Sequence, residues 1–156
     1  MKKELILLGL MLGSGAVATR AQKLVIGSRV PDLKGVAWST LPPRTEAPML
    51  IEFYAPDNAS SARFFPKLAE IQHRHGNGNR GIQIVVLTRG VAATTLDSLR
   101  ARYGERYFIG SDPDGRVYRA FHVQYVPYTI LVNSKGELYW QGNLGNLPTS
   151  TLEGVR

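Results

Sequence analysis

The stretch Phe53-Tyr-Ala-Pro-Asp-Asn-Ala-Ser-Ser-Ala-Arg-Phe-Phe-Pro-Lys-Leu68 marks a change in the period of the apolar residues. The residues from Met49 to Tyr54 form a short apolar run that is typical of a strand. From about Ser60 to His75 the apolar residues recur at helical spacing. Pro66 lies inside this pattern and is expected to kink the helix, because proline lacks a main-chain donor. The stretch therefore predicts a strand followed directly by a helix.

The rest of the chain continues the alternation of strands and helices. Its predicted elements are strands at 82–87 and 107–109, a helix at 94–103, one or two helical turns at 116–121, and a hairpin of 128–133 with 137–141. Asp57 or Asn58 is expected to cap the first helix. This order predicts the α/β class, with a mixed central β-sheet that is flanked by helices on both faces.

Composition excludes several kinds of chemistry. The chain has 156 residues, a formal net charge of +7 and no cysteine. This length suits a single domain. A chain without cysteine has no disulfide, no thiolate nucleophile and no cysteine-ligated metal site. The basic residues are scattered rather than grouped in a run, so we expect no nucleic-acid partner. We also expect no cofactor and no metal.

The first 21 residues are predicted to be a signal peptide. Two lysines precede the apolar stretch from Leu5 to Ala18, and small residues follow at the positions that cleavage requires. The stretch is shorter than the roughly 20 residues that span a bilayer, which favours cleavage over a retained anchor. We therefore expect residues 22–156 to form the mature domain, without a stable membrane span. Export would place it in the periplasm or cell envelope of a bacterium.

The quoted stretch resembles the signature of exported thioredoxin-like proteins of the TlpA/ResA type. Their pattern is F-W-A-x-W-C-x-x-C, followed by a proline in the helix. Val126-Pro127 stands just before the hairpin, where the family places a cis-proline, and Ser134-Lys-Gly-Glu137 resembles the turn inside that hairpin. The resemblance covers roughly residues 26–145. It implies a thioredoxin-like fold with a cis-proline before the C-terminal hairpin.

The active motif is where this chain departs from the family. Asn58 and Ser61 occupy the two cysteine positions. Neither side chain can form the thiolate that attacks a disulfide, so we expect no catalytic residue. Glu52 matches the position of a carboxyl that the family buries beneath its cysteines. Here it is either a relic or a partner of Ser61, with a pKa that burial raises.

The resemblance also implies a substrate groove beside the cis-proline. Its predicted binding residues are Tyr54, Asp57, Asn58, Ser61, Tyr125, Val126, Pro127 and Tyr128. We expect this groove to bind a peptide or a partner protein of the cell envelope. Two alternatives stay open. The tyrosines can merely cap the sheet, or the chain can be a thiol-disulfide oxidoreductase by descent that supports redox homeostasis through the thiols of a partner.

Other motifs favour weaker interpretations. His73 and His75 lie two residues apart on a helix and point away from each other, which argues against a shared metal. Ser61 with His122 would need an oxyanion hole for hydrolysis, and no nucleophile-elbow glycine pattern surrounds Ser61. The G-x-G-x-x-G pattern at 76–81 leaves a helix and enters a strand, the reverse of a dinucleotide site.

The end of the chain departs from the family as well. The family closes its sheet with a C-terminal helix, whereas residues 147–156 include Pro148 and Gly154. We therefore expect either a single helical turn here or a continuation in a longer protein.

Overall fold

The structure is a computed structural model that describes residues 24–156. Its strands are β1 (Ala37–Trp38), β2 (Met49–Phe53), β3 (Gln83–Thr88), β4 (Phe108–Ser111), β5 (Tyr128–Val132) and β6 (Leu138–Gly142). Its helices are α1 (Ala59–Ala62), α2 (Phe65–His75), α3 (Ala93–Tyr103), α4 (Arg116–Ala120) and α5 (Thr149–Gly154), with a 3-10 turn at Leu144–Asn146. The predicted signal peptide, residues 1–21, lies outside the described residues. Among residues 24–156, no helix has the length and apolar character needed to cross a bilayer.

All six strands form one mixed sheet in the order β1-β4-β3-β2-β5-β6. The central strands β2, β3 and β4 are parallel, and β1, β5 and β6 join them in antiparallel pairs. A strand in the middle of such a sheet is covered on both faces, which explains why β3 reads as a continuous apolar run. The predicted mixed α/β sheet is confirmed.

Helices cover both faces of the sheet, but unequally. On one face, α2, α3 and α5 bury side chains such as Leu68, Leu99 and Leu152 against the sheet. On the other face, α4 contributes Val117 and Tyr118, and the segment before β1 supplies partly buried apolar residues. The first face therefore holds most of the helical packing, and the second relies on an extended segment.

The helix after β2 is interrupted before Pro66 rather than kinked at it. Residues 59–62 form α1, and α2 begins at Phe65, so that Pro66 occupies the first turn of α2. A proline is well accommodated there because main-chain N–H groups in the first turn have no partner within the helix. The expectation of one kinked helix from about 60 to 75 was wrong. Of the two predicted caps, Asn58 is the one that caps α1.

The last residues of the chain pack into the core. The short helix α5 buries Leu152, and Val155 just beyond it is 2% exposed. The N–H group of Ser134 donates to the carbonyl oxygen of Arg156 at 2.8 Å. A short terminal helix thus closes this side of the sheet and joins the turn between β5 and β6.

Candidate functional site

A cavity of about 710 Å³ opens where β2 and β3 end. We call it the strand-end cavity. It is bounded by the segment after β2, by the loop between β3 and α3, and by the segment that precedes β5. Its lining residues are Tyr54, Ala55, Pro56, Asp57, Arg89, Gly90, Val91, Ala92, Thr95, Tyr118, Val123, Gln124, Tyr125 and Val126. Parallel strands end at the same edge of a sheet, and ligands commonly bind at that edge.

The predicted binding residues divide into two groups. Tyr54, Asp57, Tyr125 and Val126 line the strand-end cavity. Asn58, Ser61, Pro127 and Tyr128 lie next to these residues in the chain but do not line the cavity. The fold therefore brings the segment after β2 and the segment before β5 to one place, as the resemblance implied.

Asn58 and Ser61 hold the segment after β2 in position. The Asn58 Oδ1 atom accepts a hydrogen bond from the Ser60 N–H group at 2.9 Å. The Ser61 hydroxyl is 2% exposed and accepts a hydrogen bond from the Ala55 N–H group at 3.3 Å. Both side chains thus fix the main chain of the loop, and the Ser61 oxygen faces Ala55 rather than solvent.

The segment before β5 presents aromatic surface at the mouth of the cavity. The peptide bond between Val126 and Pro127 is cis. Tyr125 is 62% exposed, and its ring meets that of Tyr128 edge to face, with centroids 5.4 Å apart. The Tyr128 hydroxyl donates to Gln141 Oε1 on β6 at 3.1 Å. Tyr128 is thereby fixed against the sheet, while Tyr125 stands free above it.

The main-chain polar groups of residues 124–126 have no hydrogen-bond partner in the part of the chain that the structure describes. Among residues 24–156, no hydrogen bond uses the N–H or C=O groups of Gln124, Tyr125 or Val126. These three residues line the cavity. Gln124 lies in irregular backbone and residues 125–127 form a bend just before β5. Main-chain groups that are left unpaired beside a strand can form hydrogen bonds with a bound peptide.

Glu52 is buried in the sheet below this region. Its side chain is 2% exposed, and Oε2 accepts a short hydrogen bond from the hydroxyl of Thr129, its neighbour on β5. Burial raises the pKa of Glu52 from 4.5 to about 8, although the hydrogen bond from Thr129 acts in the opposite direction. The predicted burial of this carboxyl is supported. The suggested hydrogen bond to Ser61 was wrong, because register places Thr129 opposite Glu52.

The structure adds a wall that sequence reasoning missed. Residues 89–92 and Thr95, between β3 and the first turn of α3, face the segment before β5 across the cavity. Tyr118 of α4 also lines it and donates from its hydroxyl to the carbonyl oxygen of Leu87 at 2.8 Å. The sequence did contain one indication of this wall. Strands β2 and β3 were both predicted, and the loops that follow adjacent parallel strands lie at the same edge of a sheet.

A second cavity of about 830 Å³ lies on the face of the sheet that α4 covers. Its floor includes Ile51, Phe121 and Val132, which are at most 4% exposed. None of the predicted binding residues lines this cavity. It lies between the N-terminal segment and the turn after β5.

Metal ligands do not converge within the described part of the chain. No group of three or more histidine or carboxylate side chains among residues 24–156 is arranged to hold an ion. His73 and His75 lie in the last turn of α2, away from the residues that line the strand-end cavity.

Comparisons with known proteins identify the fold. No protein-family model and no curated protein matches the chain. Among solved structures, a thioredoxin-like protein in its oxidized form has 18% identity and a TM-score of 0.67, covering 83% of this chain and 98% of its own. A structure from Chlorobium tepidum, named for the thiol:disulfide interchange protein DsbE, has 18% identity and a TM-score of 0.62, covering 84% and 92%.

A third similar structure is dsbF from MTB, in mixed oxidized and reduced forms. It has 17% identity and a TM-score of 0.56, and covers 69% of this chain and 80% of its own. At these sequence identities the likeness shows the fold alone, so an activity has to be argued from the residues of this chain. The resemblance assigns Asn58 and Ser61 to the two cysteine positions of the C-x-x-C motif, and the sequence contains no cysteine. In its fold, this chain is a thioredoxin-like protein without cysteine.

Proposed function

We propose that this chain is an exported peptide-binding protein of the bacterial cell envelope that works without thiol chemistry. Its binding site is the strand-end cavity. A peptide in extended conformation lies along the segment before β5 and adds to it as a short strand. The partner is an unfolded or extended segment of another envelope protein.

The unpaired main chain of residues 124–126 is the observation that carries this proposal. Main-chain hydrogen bonds give affinity for any extended peptide, whatever its sequence. Because Pro127 has no N–H group, the segment cannot extend the ladder of β5 in the ordinary way. The free groups of Gln124, Tyr125 and Val126 therefore remain available to a second chain.

Aromatic side chains supply the contact surface beside these groups. The ring of Tyr125 contacts that of Tyr128 edge to face, and the residue is 62% exposed. Tyrosine offers a large apolar ring and a polar end at a low cost in conformational entropy, which suits it to bind varied side chains. We therefore assign Tyr125 as the anchor of the site.

Chemical shifts of the full chain test this function directly. We would titrate the ¹⁵N-labelled protein with capped peptides of about seven residues that alternate threonine and valine around a central guest residue. Saturable shifts of the amides of residues 124–126 are expected, since these amides would donate to the peptide or lie beside it. Replacing Tyr125 with alanine should weaken binding about fivefold, the equivalent of about 1 kcal/mol for an aromatic contact.

Leu41→Ala is the control for this titration. Leu41 is 81% exposed and does not line the cavity, so its removal deletes apolar surface without touching the site. Binding by this variant should equal that of the unmodified chain. If no peptide of the set shifts the amides of residues 124–126 saturably, the strand-end cavity is not a peptide site and the proposal fails.

A further inference from the structure

Two formal charges line the strand-end cavity, and they lie on different walls. Asp57 belongs to the segment after β2, and Arg89 to the loop that follows β3. Asp57 lies close to Tyr54, whose pKa is raised chiefly by burial and further by this carboxylate. Arg89 lies close to Tyr118, where burial raises the pKa of the hydroxyl and the guanidinium opposes the rise. The two charges therefore come from the segments that follow two neighbouring strands, β2 and β3.

The Arg89 guanidinium rests against the main chain of Gly115. A Cβ atom at position 115 would lie 2.8 Å from Arg89 Nε and 2.9 Å from Nη2, so the guanidinium would have to shift to make room for it. Gly115 has a φ angle of 68°, a conformation that glycine adopts readily, and it precedes α4. The Arg89 guanidinium therefore occupies the space beside Gly115, at the start of α4, while the residue lines the cavity.

Within residues 24–156, the charge of Arg89 has no counter-ion. Among the described residues, an ion pair joins Arg74 and Glu70 on α2, and no carboxylate lies within 4.0 Å of Arg89. The Arg89 side chain also makes no hydrogen bond to the described residues, and the residue is exposed. A guanidinium presents several donors in a planar fork that matches a carboxylate. Its donors are free to bind a ligand.

Arg89 faces the segment along which a peptide would lie. Residues 89–92 form one wall of the cavity, and residues 123–126 form the opposite wall. Side chains of an extended peptide point alternately to its two sides. When the peptide main chain pairs with residues 124–126, every second side chain therefore points into the cavity and towards the wall that carries Arg89.

We infer that Arg89 selects peptides with an acidic side chain, aspartate or glutamate, at the position that enters the cavity. This inference rests on the proposed peptide-binding function. The carboxylate of the peptide forms a forked pair with the guanidinium, and the cavity walls exclude part of the water around it. Asp57, on the segment after β2, disfavours a second acidic residue placed next to it. The preferred ligand is a mostly uncharged extended segment with one acidic residue.

Three guest residues in the peptide set described above test the selection. We would measure dissociation constants of the full chain for peptides with glutamate, glutamine or lysine at the centre. The glutamate peptide should bind about tenfold more tightly than the glutamine peptide, and the lysine peptide most weakly. The preference should shrink in about 0.5 M NaCl, because salt screens an ion pair that is partly open to solvent.

Arg89→Gln should lower the ratio of the affinities for the glutamate and glutamine peptides from about tenfold to about one. Arg100→Gln is the matched control, since it removes one exposed positive charge from α3 outside the cavity lining. Its glutamate preference should equal that of the unmodified chain. Equal affinity for glutamate and glutamine peptides, with saturable shifts at residues 124–126, would overturn the selection and leave the peptide site intact. Absence of binding by all three peptides would overturn both.

Discussion

Replacing Glu52 with glutamine is expected to remove most of the dependence of stability on pH between 4.5 and about 8. Burial raises the pKa of this carboxyl from 4.5 to about 8 in the folded chain. Between these values the folded chain keeps the proton while the unfolded chain releases it. The unfolded state therefore binds fewer protons, and the free energy of unfolding decreases as pH rises.

The magnitude follows from the two pKa values. Each pH unit in this window costs about 1.4 kcal/mol, so the full interval costs about 5 kcal/mol. This loss of unfolding free energy is absent below pH 4.5 and complete above about pH 8. Glutamine does not titrate, and its oxygen can still accept the hydrogen bond from Thr129. Its amide donors add a cost of about 1–2 kcal/mol that does not vary with pH.

Urea unfolding at a series of pH values is the assay. At pH 4.5 the Glu52→Gln variant should be less stable than the unmodified chain, and above about pH 8 it should be more stable, so the two curves cross. Thr129→Val removes the hydroxyl that lowers the pKa of Glu52, and should therefore extend the decline to higher pH. A stability difference between Glu52→Gln and the unmodified chain that stays constant across this range would refute the reasoning.

Three further substitutions probe the parts that position the site. Gly110→Ala would place Cβ 2.5 Å from Val36 Cγ1 and should cost about 2 kcal/mol in thermal unfolding; an unchanged melting temperature would contradict the close approach. Asn58→Ala removes the cap of α1 and should cost about 1 kcal/mol, seen as faster amide exchange in that turn. Phe65→Ala removes a ring stacked on Tyr103 at 4.1 Å, and a loss well below about 2 kcal/mol in urea unfolding would show that the stack contributes little.

The central strands could be predicted from sequence because burial on both faces leaves continuous apolar runs. The predicted strand at 82–87 differs from β3 by a single residue at each end. β1 gives no such signal, since it contains two residues and is only partly buried. It pairs with β4 through contacts distant in sequence, which a local pattern does not contain.

The candidate site could be predicted only where the chain itself carried a motif. The residues after β2 and before β5 were identified by their resemblance to a family. Arg89 was not, because a lone arginine after a strand is usually a solvated side chain. Likewise the partner of Glu52 is set by the register between β2 and β5, which pairs Glu52 with Thr129 across a large separation in sequence. Register depends on turn geometry and packing as well as on residue type.

The two edge strands of the sheet affect how readily strands of other chains can pair with this protein. On one side the boundary strand is β1, which offers two residues. On the other side, the N-terminal segment crosses β6, with the N–H of Gly27 donating to Leu138 and the N–H of Leu138 donating to Ser28. Edge strands that are short or partly covered discourage edge-to-edge aggregation. The sheet thus has a short edge at β1 and a partly covered edge at β6, and the peptide site that we propose beside β5 lies between these two edges.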